Sequence, residues 1–138
     1  MFSIGQLSTT TGVKVPTIRY YEQMGLLAAP ERTAGNQRRY GTSELQQLGF
    51  IKHARDLGFS IDAIRALIDL QDHPDRTCGA ASQIAHAQLE AVRGKIAQLR
   101  RLESELDRIV GGCDGDGPSS DCYVLASLAD HGFCNGAH

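Results

Sequence analysis

A long segment without proline, residues 78–113, reads CGAASQIAHAQLEAVRGKIAQLRRLESELDRIVGGC. Apolar side chains recur along it in steps of three and four residues, with one gap at Glu103, which is typical of a helix that pairs with a second helix. These apolar positions are Leu89, Val92, Ile96, Leu99, Leu106 and Val110. A helix over 79–111 would be on the order of 50 Å long, more than a domain of about 70 residues can cover. The segment therefore predicts a dimerisation helix.

Cysteines stand at both ends of this predicted helix, Cys78 before it and Cys113 after it. Because the helix separates them, one chain cannot bring both to the same metal ion. Two antiparallel copies can, since Cys78 of one chain would then lie beside Cys113 and Cys122 of the other. The sequence thus predicts an antiparallel coiled coil with three thiolates at its interface, a donor set that suits a soft divalent metal.

Cys113 and Cys122 enclose a loop of glycine, aspartate and serine residues, where a core position for a thiol is not expected. The loop therefore favours metal binding over inert thiols. Its aspartates do not follow the order of a calcium-binding loop. The tail residues His131, Cys134 and His138 leave three roles open: a fourth ligand, a second site, or a chain end that binds no metal.

The chain has 138 residues, 41% of them apolar and 22% charged, which is ordinary for a soluble globular protein. No apolar run approaches the roughly 18 residues needed to span a membrane. The N-terminus lacks the basic and apolar regions of a signal peptide. We therefore expect a cytoplasmic protein without a membrane partner, whose cysteines stay reduced. No Ser–His–Asp order, Walker loop or dinucleotide fingerprint is present, so we do not expect an enzyme.

The net charge of −2 conceals an asymmetry between the two halves of the chain. Residues 1–60 carry seven Lys and Arg against four acidic residues, a charge of +3. Residues 61–138 carry seven against twelve, a charge of −5. A basic first half can contact phosphate, whereas an acidic second half would be repelled by it. DNA binding is therefore expected in the first half alone.

Two short helices are predicted near the N-terminus. Ser3 is a suitable N-cap for a helix over 3–10. Pro16 suits the first turn of a second helix over 17–24. Two short helices joined by a tight turn match a helix-turn-helix. The turn residues within 26–40 then predict a β-hairpin, the wing of a winged helix-turn-helix.

Two further helices complete the predicted N-terminal domain, one capped by Thr42 or Ser43 and one capped by Ser60. Pro74 disfavours helix at the residue before it and so predicts a break. The whole chain is expected to be mainly α-helical. Its predicted parts are a winged helix-turn-helix DNA-binding domain (1–71), a linker (72–78), the dimerisation helix (79–111), and a metal-binding loop with a short helix and tail (112–138).

Basic and aromatic side chains cluster on the predicted DNA-binding elements. Arg19 and Tyr20 belong to the second helix of the helix-turn-helix, which presents side chains to the major groove. Either Tyr20 or Tyr21 is expected in the core instead. Arg38 and Arg39 lie at the wing. The full set of predicted DNA-contacting residues is Lys14, Pro16, Thr17, Arg19, Tyr20, Arg38, Arg39, Tyr40, His53 and Arg55.

Three stretches carry a resemblance to the MerR family of bacterial transcription regulators. They are IGQLSTTTGVKVPTIRYYEQMGLL at 4–27, ERTAGNQRRYGTSEL at 31–45 and LGFIKHARDLGFSIDAIRALIDL at 48–70. The cysteine pattern is similar to the branch that senses zinc, cadmium, lead or mercury. This chain has Gly112 before Cys113, where zinc-type members often carry paired cysteines, and this argues against a dinuclear zinc site.

The resemblance implies a homodimer that binds double-stranded promoter DNA and distorts it when metal binds, so that RNA polymerase at the promoter can transcribe. It implies zinc first as the metal, with cadmium, lead or mercury as alternatives. By position, Arg19, Tyr20 and Arg38 resemble the DNA contacts of the family. From the residues alone, a metal buffer or carrier without a regulatory DNA target stays open as a second hypothesis.

Overall fold

The computed structural model describes residues 1–32, 34–35, 38–113 and 115–129, except the side chains of Glu31 and Arg38. Two short strands, β1 (Glu31–Arg32) and β2 (Arg38–Arg39), pair antiparallel. The chain divides into two compact units, Met1–Gln88 and Leu89–His138. The helices are α1 (Ile4–Thr11), α2 (Val15–Gln23), α3 (Thr42–Asp56), α4 (Ile61–Gln71), α5 (Gly79–Gly111) and α6 (Tyr123–Ala129), and a 3₁₀ turn covers Ser119–Asp121.

The first unit is built on an apolar core contributed by α1 to α4. The side chains of Leu7, Ile18, Leu48, Ile51 and Ile64 are all 0% exposed. Each helix supplies residues three or four positions apart, so one face of each turns inward. The core therefore holds α1 and α2 in the arrangement that the sequence predicts for a helix-turn-helix.

A capping box marks the start of α1, and a proline in the first turn marks the start of α2. The Ser3 hydroxyl accepts a hydrogen bond from the Gln6 amide at 3.1 Å, and the Gln6 side chain accepts from the Ser3 amide at 2.8 Å. This reciprocal pair is a capping box, and it confirms Ser3 as the N-cap. In α2, Pro16 stands in the first turn as predicted, although the helix begins at Val15 rather than at Thr17.

The start of α3 differs from the prediction. Neither Thr42 nor Ser43 caps it, because the N-cap is Gly41. Its amide donates to the Glu44 carboxylate at 2.9 Å, so the carboxylate satisfies the helix end. For α4 the prediction is confirmed, since the Ser60 hydroxyl accepts from the Ala63 amide at 3.1 Å.

The long helix α5 forms as one element of 33 residues and matches the predicted range of 79–111. Its first turns, up to Gln88, belong to the first unit, in which Gln88 Nε2 donates to the Leu57 carbonyl at 2.9 Å. The predicted dimerisation positions share a high exposure, between 36% and 66% of each side chain. They are Leu89, Val92, Ile96, Leu99, Leu106 and Val110, which we call the apolar seam.

In the second unit, α5 turns a different set of residues inward. Ile109 and Glu105 are buried, while the neighbouring seam residues stay exposed.

None of the helices in the described part of the chain combines the length and the apolar character needed to cross a bilayer.

Candidate metal centre and nucleic-acid surface

The helix α2 divides into a buried side and an exposed side. Ile18 and Tyr21 lie in the core, so Tyr21 is the core tyrosine that the sequence left open. Arg19 is exposed, and Tyr20 is 44% exposed. Lys14 and Pro16 are also exposed and Thr17 is half-buried. The predicted DNA-contacting residues of α2 and its N-cap therefore all stay accessible to a ligand. They are Lys14, Pro16, Thr17, Arg19 and Tyr20.

The strand pair lies at the predicted wing. Glu31 is paired with Arg39 and Arg32 with Arg38. Arg32 is exposed and Arg39 is half-buried, so basic side chains occupy this hairpin. The backbone of Arg38 is described and stands in β2, but its side chain lies outside the described part of the structure.

Tyr40 corrects one prediction of the DNA-contacting set. Its side chain is 0% exposed, and its hydroxyl donates to the Glu22 carboxylate at the end of α2. Its backbone also pairs with Phe2, with both N–O distances at 2.7 Å. Tyr40 therefore ties the wing to α2 from inside the core and offers no surface to DNA. The sequence signal was misleading because a tyrosine next to two arginines can either contact DNA or pack in the core.

His53 and Arg55 lie late in α3 and are both exposed. Arg55 donates to the Phe59 carbonyl at 2.8 Å and so supports the turn between α3 and α4. His53 lines an open apolar groove of about 430 Å³ together with Leu57 and Leu67. Both side chains are exposed enough to contact DNA. Each also has a contact within its own unit, Arg55 with the Phe59 carbonyl and His53 with the apolar groove.

Cys113 and Cys122 come together at the end of α5. Both thiols are free and half-buried, and their Sγ atoms lie 4.0 Å apart. A disulfide needs about 2.05 Å, so this is a thiol pair. Two sulfurs bound to one zinc ion at about 2.3 Å each would be roughly 3.8 Å apart in tetrahedral and roughly 4.0 Å apart in trigonal geometry. The spacing of the pair therefore fits one shared metal ion.

The start of α6 favours the thiolate form of Cys122. The backbone amide of Leu125 donates toward its sulfur and lowers the pKa of the thiol below its ordinary value of 9.0. Partial burial opposes this, while the Val124 amide and the Cys113 side chain act in the same direction as Leu125. Metal ions bind thiolates rather than thiols, so these amides prepare Cys122 as a ligand.

Cys78 stands directly before α5, exposed, and its carbonyl accepts from the Ser82 amide at 2.9 Å. Within the described ranges of a single chain, no three His, Cys, Asp or Glu residues gather as a metal-binding group. The shared arrangement predicted for two chains stays a prediction. The tail residues His131, Cys134 and His138 lie outside the described residues.

A cluster that the sequence did not reveal flanks the thiol pair. Arg108 donates to the Tyr123 hydroxyl and to the buried carboxylate of Glu105. The Arg108 guanidinium carbon lies 5.8 Å from the centre of the Tyr123 ring. Tyr123 follows Cys122 directly, and Gly112 precedes Cys113 directly. This cluster therefore borders both cysteines, although no sequence spacing announces it.

Two family descriptions match the chain: "MerR HTH family regulatory protein" over residues 2–71 and "MerR, DNA binding" over residues 45–109. The mercuric resistance operon regulatory protein of Pseudomonas fluorescens is 39% identical over 126 residues, covering 91% of this chain and 86% of that protein. The transcriptional regulator ZntR of Escherichia coli K12 is 38% identical over 130 residues, covering 93% of this chain and 92% of that one.

Among solved structures, the transcription regulator PbrR691 of Ralstonia metallidurans CH34 in complex with lead(II) is 39% identical. It superposes with a TM-score of 0.79 over 93% of this chain and 99% of that chain. The regulator MerR of Bacillus megaterium MB1 in complex with mercury(II) is 28% identical, with a TM-score of 0.71 over 94% of this chain and 100% of that chain. The similarity thus covers the DNA-binding and the cysteine-bearing parts together.

Proposed function

The chain belongs to the MerR family of transcription regulators, and from this membership we propose that it activates metal-resistance or efflux genes when a soft divalent metal binds to it. It is a DNA-binding regulator and not an enzyme. The observation that carries the proposal is the pair of free thiols, Cys113 and Cys122, 4.0 Å apart in a chain that begins with a helix-turn-helix. The protein acts in the cytoplasm, where these thiols stay reduced.

DNA binding falls to the exposed side of α2 and to the wing. Arg19 and Tyr20 are exposed on α2, opposite the buried Ile18. An arginine can contact phosphate or the edge of a guanine, and a tyrosine hydroxyl can contact phosphate. Arg32 and Arg39 of the short hairpin add basic side chains to the same unit. Promoter DNA is therefore the partner that this unit fits.

Two copies assemble through the apolar seam. Its leucine, isoleucine and valine side chains recur at the spacing of a coiled coil and are exposed in the single chain. An exposed apolar line of this length, interrupted once at Glu103, marks a protein–protein contact. An antiparallel homodimer covers the seam and also supplies the two-fold symmetry that a palindromic operator requires.

The metal site joins ligands from both copies. Cys113 and Cys122 of one chain supply two sulfurs, and the partner copy contributes its cysteine at position 78. Three thiolates suit a soft divalent ion. Family membership favours Zn²⁺ as the inducer, with Cd²⁺, Pb²⁺ and Hg²⁺ as alternatives; a fourth ligand for Zn²⁺ is water or a residue of the tail.

Metal binding acts on transcription through the shape of the DNA. The ion links the end of one dimerisation helix to the start of the other, so the two DNA-binding units change their relative orientation. The bound promoter then bends and untwists, and RNA polymerase can engage both of its recognition elements. Proteins that bend or untwist DNA supply the free energy of that deformation from their binding.

A promoter reporter tests the proposal. DNA fragments that bind the protein are selected from a random library and placed upstream of a reporter gene. Salts of zinc, cadmium, lead and mercury are then added in separate cultures. We expect at least one of them to raise reporter activity, and expect the bound fragment to be released as salt rises. Binding of metal without any salt-dependent DNA binding would instead favour the metal buffer.

A further inference from the structure

The ring of Tyr123 lies against the backbone of Gly112. A Cβ atom built on Gly112 would stand 2.8 Å from the ring Cγ and closer still to Cδ1 and Cε1, inside the 3.0 Å that real Cβ atoms keep. Gly112 has no positive φ, so the backbone does not require glycine there. The absence of a side chain at this position is therefore set by the ring.

The ring in turn is held from α5. Arg108 donates to the Tyr123 hydroxyl, and the same guanidinium is paired with the carboxylate of Glu105, whose side chain is only 11% exposed. A partly buried ion pair of this kind fixes the direction of its guanidinium better than an exposed pair does. The ring thus contacts the backbone of Gly112 and the side chain of Arg108.

This contact joins the two ends of the loop next to both thiols. Gly112 is bonded to Cys113 and Tyr123 is bonded to Cys122, so pressing the ring on Gly112 brings the two cysteines together. Their Sγ atoms lie 4.0 Å apart, which is a chelating distance. The described part of the loop between them contains two glycines with positive φ, Gly115 and Gly117.

We propose that Tyr123 is a positioning residue of the metal site: its ring, packed on Gly112 and held by Arg108, sets the separation of the Cys113 and Cys122 sulfurs. The same ring leaves position 112 no room for a ligating side chain, so the loop offers its sulfurs from Cys113 and Cys122 alone. The inference rests on the metal-binding role proposed above and deepens it.

A double-mutant cycle tests whether the Tyr123 ring sets the separation of the two sulfurs. The variants are Gly112→Ala, Tyr123→Ala and both together, and the matched control is Gly111→Ala, whose added Cβ would meet nothing within 4 Å. Cd²⁺ affinity is measured by ultraviolet absorption of the cadmium–thiolate bonds in competition with a chelator. We expect Gly112→Ala to weaken Cd²⁺ binding by about tenfold to a hundredfold, a range seen when the support of a metal ligand is lost. Gly111→Ala should bind like wild type.

The Tyr123→Ala protein shows whether the ring causes the loss of Cd²⁺ affinity. In the Tyr123→Ala protein, which has lost the ring, adding Gly112→Ala should cause no further loss of Cd²⁺ affinity. An equal loss in both backgrounds would overturn the proposal, as would wild-type affinity in Gly112→Ala. Gly112→Cys extends the test: its added thiol should raise Cd²⁺ affinity only when Tyr123→Ala is also present.

A metal-free measurement separates this proposal from the proposed function. Diamide converts two nearby thiols to a disulfide and is itself reduced to the hydrazine. When Cys78 and Cys134 are replaced by serine, the rate reports how close Cys113 and Cys122 are held. The rate should fall in Gly112→Ala and stay unchanged in Gly111→Ala, with circular dichroism showing equal helix content. If wild type bound no Cd²⁺, the metal-responsive function would fail, while unchanged diamide rates would refute the role of Tyr123.

Discussion

Cys122 owes its acidity to the backbone that follows it. The Leu125 amide at the start of α6 donates toward the sulfur, and this lowers the pKa of the thiol. The effect belongs to the folded chain, because the amide points at the sulfur only when α6 is formed. A thiol with a lowered pKa is deprotonated at lower pH and reacts earlier on a rising pH scale.

We therefore predict that alkylation of Cys122 by iodoacetamide reaches half of its maximal rate at a lower pH in the folded protein than in concentrated urea. Folding lowers the pKa, so the midpoint must move down when the protein folds. Mass spectrometry of the cysteine-containing peptide gives the rate at each pH. A midpoint that is equal or higher in the folded protein would contradict the role of the α6 amides.

At the scale of the element, α2 presents a basic and aromatic side to the solvent. We predict that Arg19→Ala lowers affinity for a selected DNA fragment by about tenfold or more, because a good arginine contact is worth roughly 1–3 kcal/mol. Affinity for Cd²⁺ should be unchanged. The measurement is fluorescence anisotropy of labelled DNA at fixed salt.

Arg93→Ala is the matched control for Arg19→Ala. Arg93 is an exposed arginine on α5, in an ion pair with Glu90 at 2.8 Å. Its removal changes the net charge by the same amount outside the first unit. If the two variants lost DNA affinity equally, the loss would reflect overall charge, and Arg19 would not be a specific contact.

Most elements could be predicted from local sequence signals, and the exceptions have a physical cause. Ser3 and Ser60 cap α1 and α4 as expected, because a serine before an apolar repeat acts within its own helix. At α3 the N-cap is Gly41 and not the predicted Thr42 or Ser43, because the Gly41 amide donates to the Glu44 carboxylate. The start of α3 thus depends on a side chain within the helix as well as on the capping preference of the residues before it.

The part of the candidate site that follows from the positions of the cysteines along the chain could be predicted. A loop with glycines between Cys113 and Cys122 allows the two thiols to meet, and they do so at 4.0 Å. The buried bond from Tyr40 to Glu22 joins residues 18 positions apart, and the contact of Tyr123 with Gly112 crosses the whole loop. Such contacts are decided by side-chain packing after the elements form, so no periodicity reveals them.

At the scale of the whole molecule, the apolar seam should make the protein an obligate dimer. We predict that Leu99→Glu, which places a charge in the seam, converts the dimer to a monomer at micromolar concentration. Leu99 is 64% exposed in the single chain, so the change should be tolerated unless a partner covers it. Analytical ultracentrifugation gives the mass, and Gln98→Glu on the same exposed helix is the control. A dimeric Leu99→Glu protein would argue against this seam.

A mixed dimer tests whether the two chains share one metal site. One copy carries Cys78→Ser, and the other carries Cys113→Ser together with Cys122→Ser. We predict that the mixed dimer keeps one complete site and binds half the Cd²⁺ of wild type, whereas each parent homodimer binds none tightly. Tandem affinity tags isolate the mixed species before titration. If it bound no Cd²⁺ while wild type did, all ligands would come from one chain.

The exposure of the seam also bears on gene dosage. A chain that leaves a line of leucine, isoleucine and valine uncovered is a substrate for chaperones and proteases until it meets a second copy. Pairing depends on concentration, so the amount of paired protein falls more steeply than expression when expression is low. Halving the expression of the chain should therefore remove more than half of the functional regulator.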